Sequence, residues 1–326
     1  MPACAASWHA FWPSSDPRSM NMKEEHVMKS NETSRRAGLS FARLAAATAI
    51  ALGVAGSFSA ASAAESGKSN EQLREMLPAN VRDAGTMKVA ISLAYPPMEY
   101  SDAGSTDLKG ADIDLAKEVA NRLGLKIDFQ NVDFSQLITS VTTGRADMVW
   151  TAFSDITERQ GKLDFIDYFK TGNQIFVPVS YQDSVKTVKD LCGKTVSVAT
   201  GTSWVGFMEN LSKETCDASA QMNLLQIGTL GEQLMQLKQD RAQAVMMGFE
   251  GVLDLQKQQP DKFYTVGELY DQGNYGIAFA KEATQLRGAV LATLEAMKAD
   301  GAYEEILGRY GLKEAAVDSF TVNAGK

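Results

Sequence analysis

The chain has 326 residues, of which 44% are hydrophobic and 22% are charged, and its formal net charge is -8. This length and composition indicate a soluble globular protein of two domains. The acidic balance excludes nucleic acid as a partner, because a polyphosphate backbone is held by clustered Lys and Arg, and the sequence has no such run. Both histidines, His9 and His26, lie in a segment that we expect to be removed, which excludes His-based metal sites and His-dependent nucleophilic catalysis.

Residues 1–64 have the pattern of a signal peptide with an upstream extension. A basic region is followed by an apolar stretch and then by small residues: Arg35, Arg36 and Arg43, then 44–58, then 60–64. The apolar stretch is too short and too rich in Ala to span a membrane. We expect general secretion rather than twin-arginine export, cleavage after Ala63 or Ala64, and a periplasmic product with a formal charge of -10, since the leader holds six basic and four acidic residues.

Short β-rich segments alternate with amphipathic helical segments along the rest of the chain, a pattern typical of α/β folds with mostly parallel sheets flanked by helices. The predicted strands are 87–93, 126–129, 148–151, 174–179, 195–199, 224–227, 244–247 and 275–280. The predicted helices are 113–123, 134–142, 204–211, 230–239 and 249–258, followed by two helices within 282–310 on which we expect the chain to end.

Two apolar segments, near 176–179 and near 271–275, predict a two-stranded hinge between two lobes. The first lobe is then discontinuous and contains residues 65–177 and 274–326, whereas the second lobe contains residues 178–273. About 260 residues is a large number for a single core, which also favours two lobes.

Two cysteines remain after removal of the leader, Cys192 and Cys216. An even number of cysteines in an exported protein predicts a disulfide. The alternative, a redox-active pair, lacks the Cys-x-x-Cys spacing.

Several motifs in order resemble family 3 of the bacterial extracellular solute-binding proteins. They are Tyr95-Pro96-Pro97-Met98-Glu99-Tyr100, Lys109-Gly110-Ala111-Asp112-Ile113-Asp114, Thr157-Glu158-Arg159, Leu191-Cys192-Gly193-Lys194, Thr200-Gly201-Thr202 and Tyr275-Gly276-Ile277-Ala278. Each motif is weak alone, but their order and spacing cover the mature chain. The resemblance implies the two-lobed type II fold of periplasmic binding proteins. It also implies a monomer that binds an amino acid or a related carboxylate between its lobes, without cofactor or metal, and delivers it to the permease of an ABC importer.

The resemblance implies that Arg159 binds the carboxylate of the ligand, with contacts added by Thr151, Ala152 and Ser154. A guanidinium suits this role because its rigid fork of donors matches the two carboxylate oxygens. On its own, Arg159 would be interpreted as a surface residue paired with Asp155 or Glu158.

In the family, the turn at Thr202 and Ser203 faces the carboxylate from the second lobe, at the start of a helix whose free amides favour an anion. Without the resemblance, the two residues would be interpreted as an ordinary helix N-cap. Tyr95 and Phe134 match the aromatic positions that contact the ligand side chain, with core packing as the alternative for both.

Two positions depart from the family pattern. Gly248 stands where an Asp usually receives the ligand ammonium, and Ser92 stands where receptors for cationic amino acids have an acid. An unpaired ammonium in a closed cleft is costly. Either Glu250 or another carboxylate therefore replaces the Asp, or the ligand is not a standard α-amino acid. Lysine and arginine are disfavoured.

A rival interpretation is an enzyme on the same scaffold, because cyclohexadienyl dehydratases resemble these receptors. That reaction needs a carboxylate or Lys poised for proton transfer, for which Glu250 and Asp155 are candidates. A third interpretation, the sensing part of a signalling receptor, is weakened because we expect no membrane span or kinase-like region to follow Lys326.

Overall fold

The computed structural model describes residues 68–326, so the predicted signal peptide, Cys4 and both histidines lie outside the described residues. The helices are α1 (Asn70–Glu75), α2 (Ala79–Ala84), α3 (Ala111–Arg122), α4 (Leu137–Thr142), α5 (Thr157–Gln160), α6 (Ser203–Thr215), α7 (Leu230–Lys238), α8 (Phe249–Gln258), α9 (Thr284–Ala299) and α10 (Ala302–Arg309). The strands are β1 (Thr86–Ile91), β2 (Lys126–Asn131), β3 (Met148–Val149), β4 (Leu163–Pro178), β5 (Thr195–Ala199), β6 (Asn223–Ile227), β7 (Ala244–Gly248), β8 (Phe263–Ala280) and β9 (Ala316–Val322).

The strands of the described residues form one continuous sheet with the order β2-β1-β3-β8-β4-β7-β5-β6, and β9 lies beside β4. At one end β1 pairs in parallel with β2 and β3, and at the other end β5 pairs in parallel with β6 and β7. Parallel neighbours require crossover connections, which helices supply here. The antiparallel strands β4 and β8, of 16 and 18 residues, run through both ends of the sheet. This is the predicted two-lobed α/β architecture; we call the β1–β3 end the first lobe and the β5–β7 end the second lobe.

Each lobe buries its own apolar residues. In the first lobe, side chains of β1, α3, α9 and α10 pack in one cluster, and a smaller cluster includes Leu137, Phe153 and Phe165. In the second lobe, side chains of β5, β7, α6 and α8 form a separate cluster that includes Phe176 and Val198. Separate cores allow the lobes to move as units while their strands keep the connection between them.

The pairing of β4 with β8 is irregular where the two strands pass between the lobes. The register shifts between Thr171 and Asn173 and again between Asn173 and Ile175. Such irregularities bend a strand and increase its twist. The bend therefore lies at the connection between the lobes, and the predicted lobe boundaries themselves stay a prediction.

The predicted strands and helices are present in the described residues, with bounds that differ by a few residues except for β4 and β8, which begin 11 and 12 residues before their predicted starts at 174 and 275. The expectation that the chain ends on a helix is wrong, because β9 follows α10 and pairs antiparallel with β4. The start of β4 was also missed: residues 163–169 are buried on both faces, so they lack the alternation that marks a half-buried strand. No helix between residues 68 and 326 has the length and apolar character needed to span a membrane.

The predicted disulfide is present. Cys192 lies at the end of a short helical turn before β5, Cys216 follows α6, and the bond closes a loop with a sequence separation of 24.

We expect replacement of both cysteines by Ala to lower the free energy of unfolding by about 3 kcal/mol, because the unfolded chain regains the conformations that the closed loop excludes. Urea unfolding followed by circular dichroism measures the change. As a control, a reducing agent should destabilise the wild type to a similar extent and leave the variant unchanged. Equal stability of variant and wild type would show that the bond contributes nothing to the fold.

Candidate functional site

A cavity of about 60 Å³ lies between the lobes. By comparison with the volume that one buried water needs, it has room for about five water molecules. Most of its lining residues lie at the end of a strand or shortly after it. They are 92–95 for β1, Phe134 for β2, Ala152 and Ser154 for β3, 199, 200 and 202–204 for β5, and 228–230 for β6; Glu99 and Gln233 complete the lining. Ligands of open α/β sheets bind at this edge, outside the carboxyl ends of the strands.

The structure brings six of the ten predicted ligand-binding residues to the cavity wall. They are Tyr95, Phe134, Ala152, Ser154, Thr202 and Ser203. The other four, Thr151, Arg159, Gly248 and Glu250, lie outside the lining. The Ser203 hydroxyl of the second lobe donates to the Ser154 hydroxyl of the first lobe at 3.4 Å across the cavity.

Arg159 lies behind Ser154 rather than on the surface. The side chain is buried, Nη1 donates to the Ser154 carbonyl oxygen at 2.9 Å, and Cζ lies 4.0 Å from the centre of the Phe153 ring. Burial lowers the pKa of the guanidinium to about 10, which leaves it charged at neutral pH. None of the described carboxylates comes within salt-bridge distance of Arg159, so a buried positive charge without a carboxylate partner lies directly behind the cavity wall.

The segment of residues 154–160, which includes the short helix α5 with Arg159 and which we call the Arg159 loop, is held from behind by the last residues of the chain. The Asp155 carboxylate accepts a hydrogen bond from the Gly325 amide at 2.8 Å, and the Thr157 amide donates to the Lys326 carbonyl oxygen at 3.3 Å. The residues that make these bonds follow β9, which pairs antiparallel with β4. The segment after α10 therefore fixes the position of the loop.

Thr202 is the N-cap of α6, and its hydroxyl donates back to the Ala199 carbonyl oxygen at 2.7 Å. The hydroxyl thus does not accept a bond from the first turn of the helix, as an ordinary N-cap side chain would. An anion in the cavity would find amide groups of α6 without a side-chain cap.

Glu250 fills the space next to Gly248. A Cβ atom added to Gly248 would lie 2.0 Å from Glu250 Oε1 and 2.5 Å from the Tyr275 hydroxyl oxygen. The Glu250 carboxylate is fully buried and accepts hydrogen bonds from the hydroxyls of Tyr95 at 2.6 Å, Tyr275 at 2.7 Å and Thr171 at 3.0 Å. Burial raises its pKa, and the hydroxyl donors oppose that rise. Gly248 is therefore a steric requirement of the Glu250 carboxylate.

Glu99 was not singled out from the sequence, although it belongs to the motif that contains Tyr95. It lines the cavity, is 2% exposed, and its Oε2 atom has no hydrogen-bond partner among the described residues. Burial, reinforced by Asp112, raises the pKa of Glu99 well above its usual range. Asp112 accepts bonds from the Ala152 amide and the Tyr168 hydroxyl, both at 2.6 Å, and burial raises its pKa to about 6. The sequence contained one signal for this role of Glu99: it is an acid between two bulky residues, Met98 and Tyr100, in a Pro-containing turn.

Within residues 68–326, no group of three or more His, Cys, Asp or Glu side chains is arranged to hold a metal ion. The buried carboxyl groups of Glu250 and Asp112, which lie outside the cavity lining, are instead bound by hydroxyl and amide donors.

The model of the family described as bacterial extracellular solute-binding proteins, family 3, matches residues 87–313. Among curated proteins, an arginine-binding protein of Corynebacterium glutamicum is 24% identical over 256 residues, which cover 77% of this chain and 83% of that protein. A probable amino-acid ABC transporter-binding protein of Haemophilus influenzae is 27% identical over 229 residues, covering 69% of this chain and 84% of that protein.

Solved structures are similar along the same region. An ancestral arginine-binding protein bound to arginine is 32% identical with a TM-score of 0.64, and the match covers 69% of this chain and 98% of that one. An ancestral amino-acid-binding protein, described as a precursor of cyclohexadienyl dehydratase, is 26% identical with a TM-score of 0.63, and the match covers 71% of this chain and 97% of that one.

We expect Gly248→Ala to lower the free energy of unfolding by about 1–3 kcal/mol, because the methyl group would displace the Glu250 carboxylate from its hydroxyl donors. The backbone at Gly248 has an ordinary extended conformation, with φ -64° and ψ 149°, so the cost is steric and not conformational. Chemical denaturation measures it.

Gly206→Ala is the matched control. Gly206 lies within α6 and its added Cβ would meet nothing within 4 Å, so Ala there should stabilise the protein by about 0.5–1 kcal/mol. If Gly248→Ala were as stable as the wild type, the packing of Glu250 against Gly248 would be looser than the structure shows.

Proposed function

Since the chain belongs to family 3 of the bacterial extracellular solute-binding proteins, we propose that it is an amino-acid receptor of an ABC importer. It binds a small amino acid or a related carboxylate in the cavity between its lobes and delivers it to a membrane permease. The observation that carries this proposal is the buried, positively charged Arg159 directly behind a cavity wall made of strand ends. A receptor of this kind acts as a monomer without cofactor, and closure of the lobes on the ligand is the signal that the permease recognises.

The carboxylate of the ligand is bound near Ser154 in this proposal. From the first lobe come Arg159 and the groups of Thr151, Ala152 and Ser154, and from the second lobe come Thr202 and Ser203 at the start of α6. The Arg159 guanidinium and the N-terminal end of α6 both favour negative charge, and one carboxylate that meets both draws the lobes together.

The side chain of the ligand lies against aromatic rings. Tyr95 and Trp204, from opposite lobes, have ring centres 5.9 Å apart, and Phe134 lines the cavity nearby. Aromatic surfaces of this kind hold apolar groups and also planar or cationic groups.

The residues of this site bear on which amino acid is bound. The names of similar proteins include arginine, histidine and L-cystine, and an ancestral relative is described as bound to glutamine. Ser92 on the cavity wall and Gly248 outside the lining stand where the family pattern has acids, and the Glu250 carboxylate already accepts hydrogen bonds from three hydroxyls. These differences favour an uncharged side chain over that of lysine or arginine.

We also propose that the chain is exported to the periplasm and cleaved near Ala63 or Ala64. Family 3 consists of extracellular proteins, in agreement with the basic and apolar pattern of residues 1–64.

The dehydratase alternative gains support from one observation. Glu99 is a buried carboxyl group on the cavity wall, and burial raises its pKa well above the usual range, which favours the protonated form that a general acid requires. Incubation with prephenate or arogenate and detection of aromatic product tests this activity. Product formation that is lost in Glu99→Gln would replace the receptor proposal by the enzyme.

We expect the mature chain, refolded to remove bound ligand, to bind at least one of arginine, histidine, glutamine and L-cystine in calorimetric titration. Arg159→Lys should weaken that binding by about 10-fold or more, because an ammonium cannot match two carboxylate oxygens at once. Arg145→Lys, at an exposed arginine outside the cavity, is the control and should bind as the wild type does. If no member of the panel bound to the wild type, the amino-acid assignment would be wrong.

A further inference from the structure

We infer that Glu99 receives the ammonium group of the ligand, in place of the acid that the family pattern has at the position of Gly248. The inference rests on the proposed function and narrows the ligand to compounds that carry an α-amine beside the carboxylate.

The first observation is the composition of the cavity wall. Among the described residues that line the cavity, Glu99 is the one with a carboxyl group, and none is Lys or Arg. Its position is fixed by the backbone: the Tyr95 amide donates to the Glu99 carbonyl oxygen at 3.0 Å, and the Glu99 amide donates to the Tyr95 carbonyl oxygen at 3.1 Å. This turn places Glu99 next to Tyr95, whose ring contacts the ligand side chain in our proposal.

The second observation is the unused hydrogen-bonding capacity of Glu99. Its Oε2 atom is buried and receives no hydrogen bond from an N–H or O–H donor of the described residues, although buried polar atoms are nearly always hydrogen-bonded. The neighbours of the Glu99 carboxyl group are the Asp112 carboxyl group and the Thr151 hydroxyl. Such an atom on a cavity wall suits a donor that arrives with the ligand. An ammonium group offers three N–H donors and a positive charge.

The other buried acids nearby are already occupied. Glu250 accepts bonds from three hydroxyls, and Asp112 accepts bonds from an amide and a hydroxyl; neither lines the cavity. Glu250 instead holds the Tyr95 hydroxyl, which also accepts a bond from the Gly248 amide at 3.0 Å. Glu250 therefore positions Tyr95, and Glu99 remains as the acceptor for the ligand ammonium.

The charges around Glu99 are those of acids. Asp112 on α3 and Glu250 on α8 both disfavour its ionised form, whereas the Thr151 hydroxyl favours it. The tyrosines bound to these acids, Tyr168 on Asp112 and Tyr95 and Tyr275 on Glu250, have raised pKa values and stay neutral. Burial and these acids raise the pKa of Glu99 and so favour its neutral form in the free protein, whereas an adjacent ammonium would favour the loss of its proton. Binding of the amino acid should release a proton to the buffer.

The test uses the member of the panel of arginine, histidine, glutamine and L-cystine that binds the wild type most tightly, and its counterpart with hydrogen in place of the α-amine. In calorimetric titration, Glu99→Gln should weaken binding of the amino acid by about 10- to 100-fold, the range expected for a lost bond to a charged group, and should leave binding of the amine-free compound unchanged. Glu214→Gln, at an exposed position of the second lobe, is the matched control.

A second measurement uses the wild type alone, so it does not depend on how the variant folds. Titration at pH 7 in phosphate and in Tris buffers, which differ in ionisation enthalpy, should show release of up to one proton per amino acid bound and none for the amine-free compound. Equal affinities of Glu99→Gln and wild type for the amino acid, or binding without proton release, would overturn the role of Glu99 while leaving the receptor proposal in place. Failure of the whole panel to bind would overturn the receptor proposal itself.

Discussion

The structure depends on one constraint: the Glu250 carboxylate, which is buried between the lobes, needs hydrogen-bond donors. Glu250 lies at the start of α8 in the second lobe, and its three donors come from the loop after β1, from β4 and from β8. A buried carboxylate is tolerated only when its oxygens are hydrogen-bonded, so these elements must meet at one point. The point is also where β4 and β8 pass between the lobes.

The rest of the site follows from that constraint. Because the Glu250 carboxylate occupies the space beside residue 248, that residue has no side chain, and the acid expected there is absent. The same carboxylate fixes the Tyr95 hydroxyl, and the turn that pairs Tyr95 with Glu99 then places a second acid at the cavity wall. The combination of Gly248 with Glu250 two residues later thus changes which residue can bind a positively charged group of the ligand.

The fold could be predicted from the sequence because its strands and helices have clear periodicity and its motifs occur in a known order. The strand at 163–169, the first part of β8 and β9 were missed, since their positions are set by pairing partners and not by local pattern. At the site, the wall residues Tyr95, Ser154 and Thr202 were predicted by motif. Glu99 was not, because its importance comes from burial and from a missing partner, and neither is visible in one sequence.

The pairing of β9 with β4 has a practical consequence for the way the protein is handled. Residues 323–326 run alongside the Arg159 loop. The Gly325 amide donates to the Asp155 carboxylate, and the Thr157 amide donates to the Lys326 carbonyl oxygen. Any polypeptide attached after Lys326, such as an affinity tag or a fluorescent protein, would begin next to that loop. An attachment point in the second lobe, for example at the turn between α6 and β6, keeps added mass away from the Arg159 loop and leaves its backbone pairing intact.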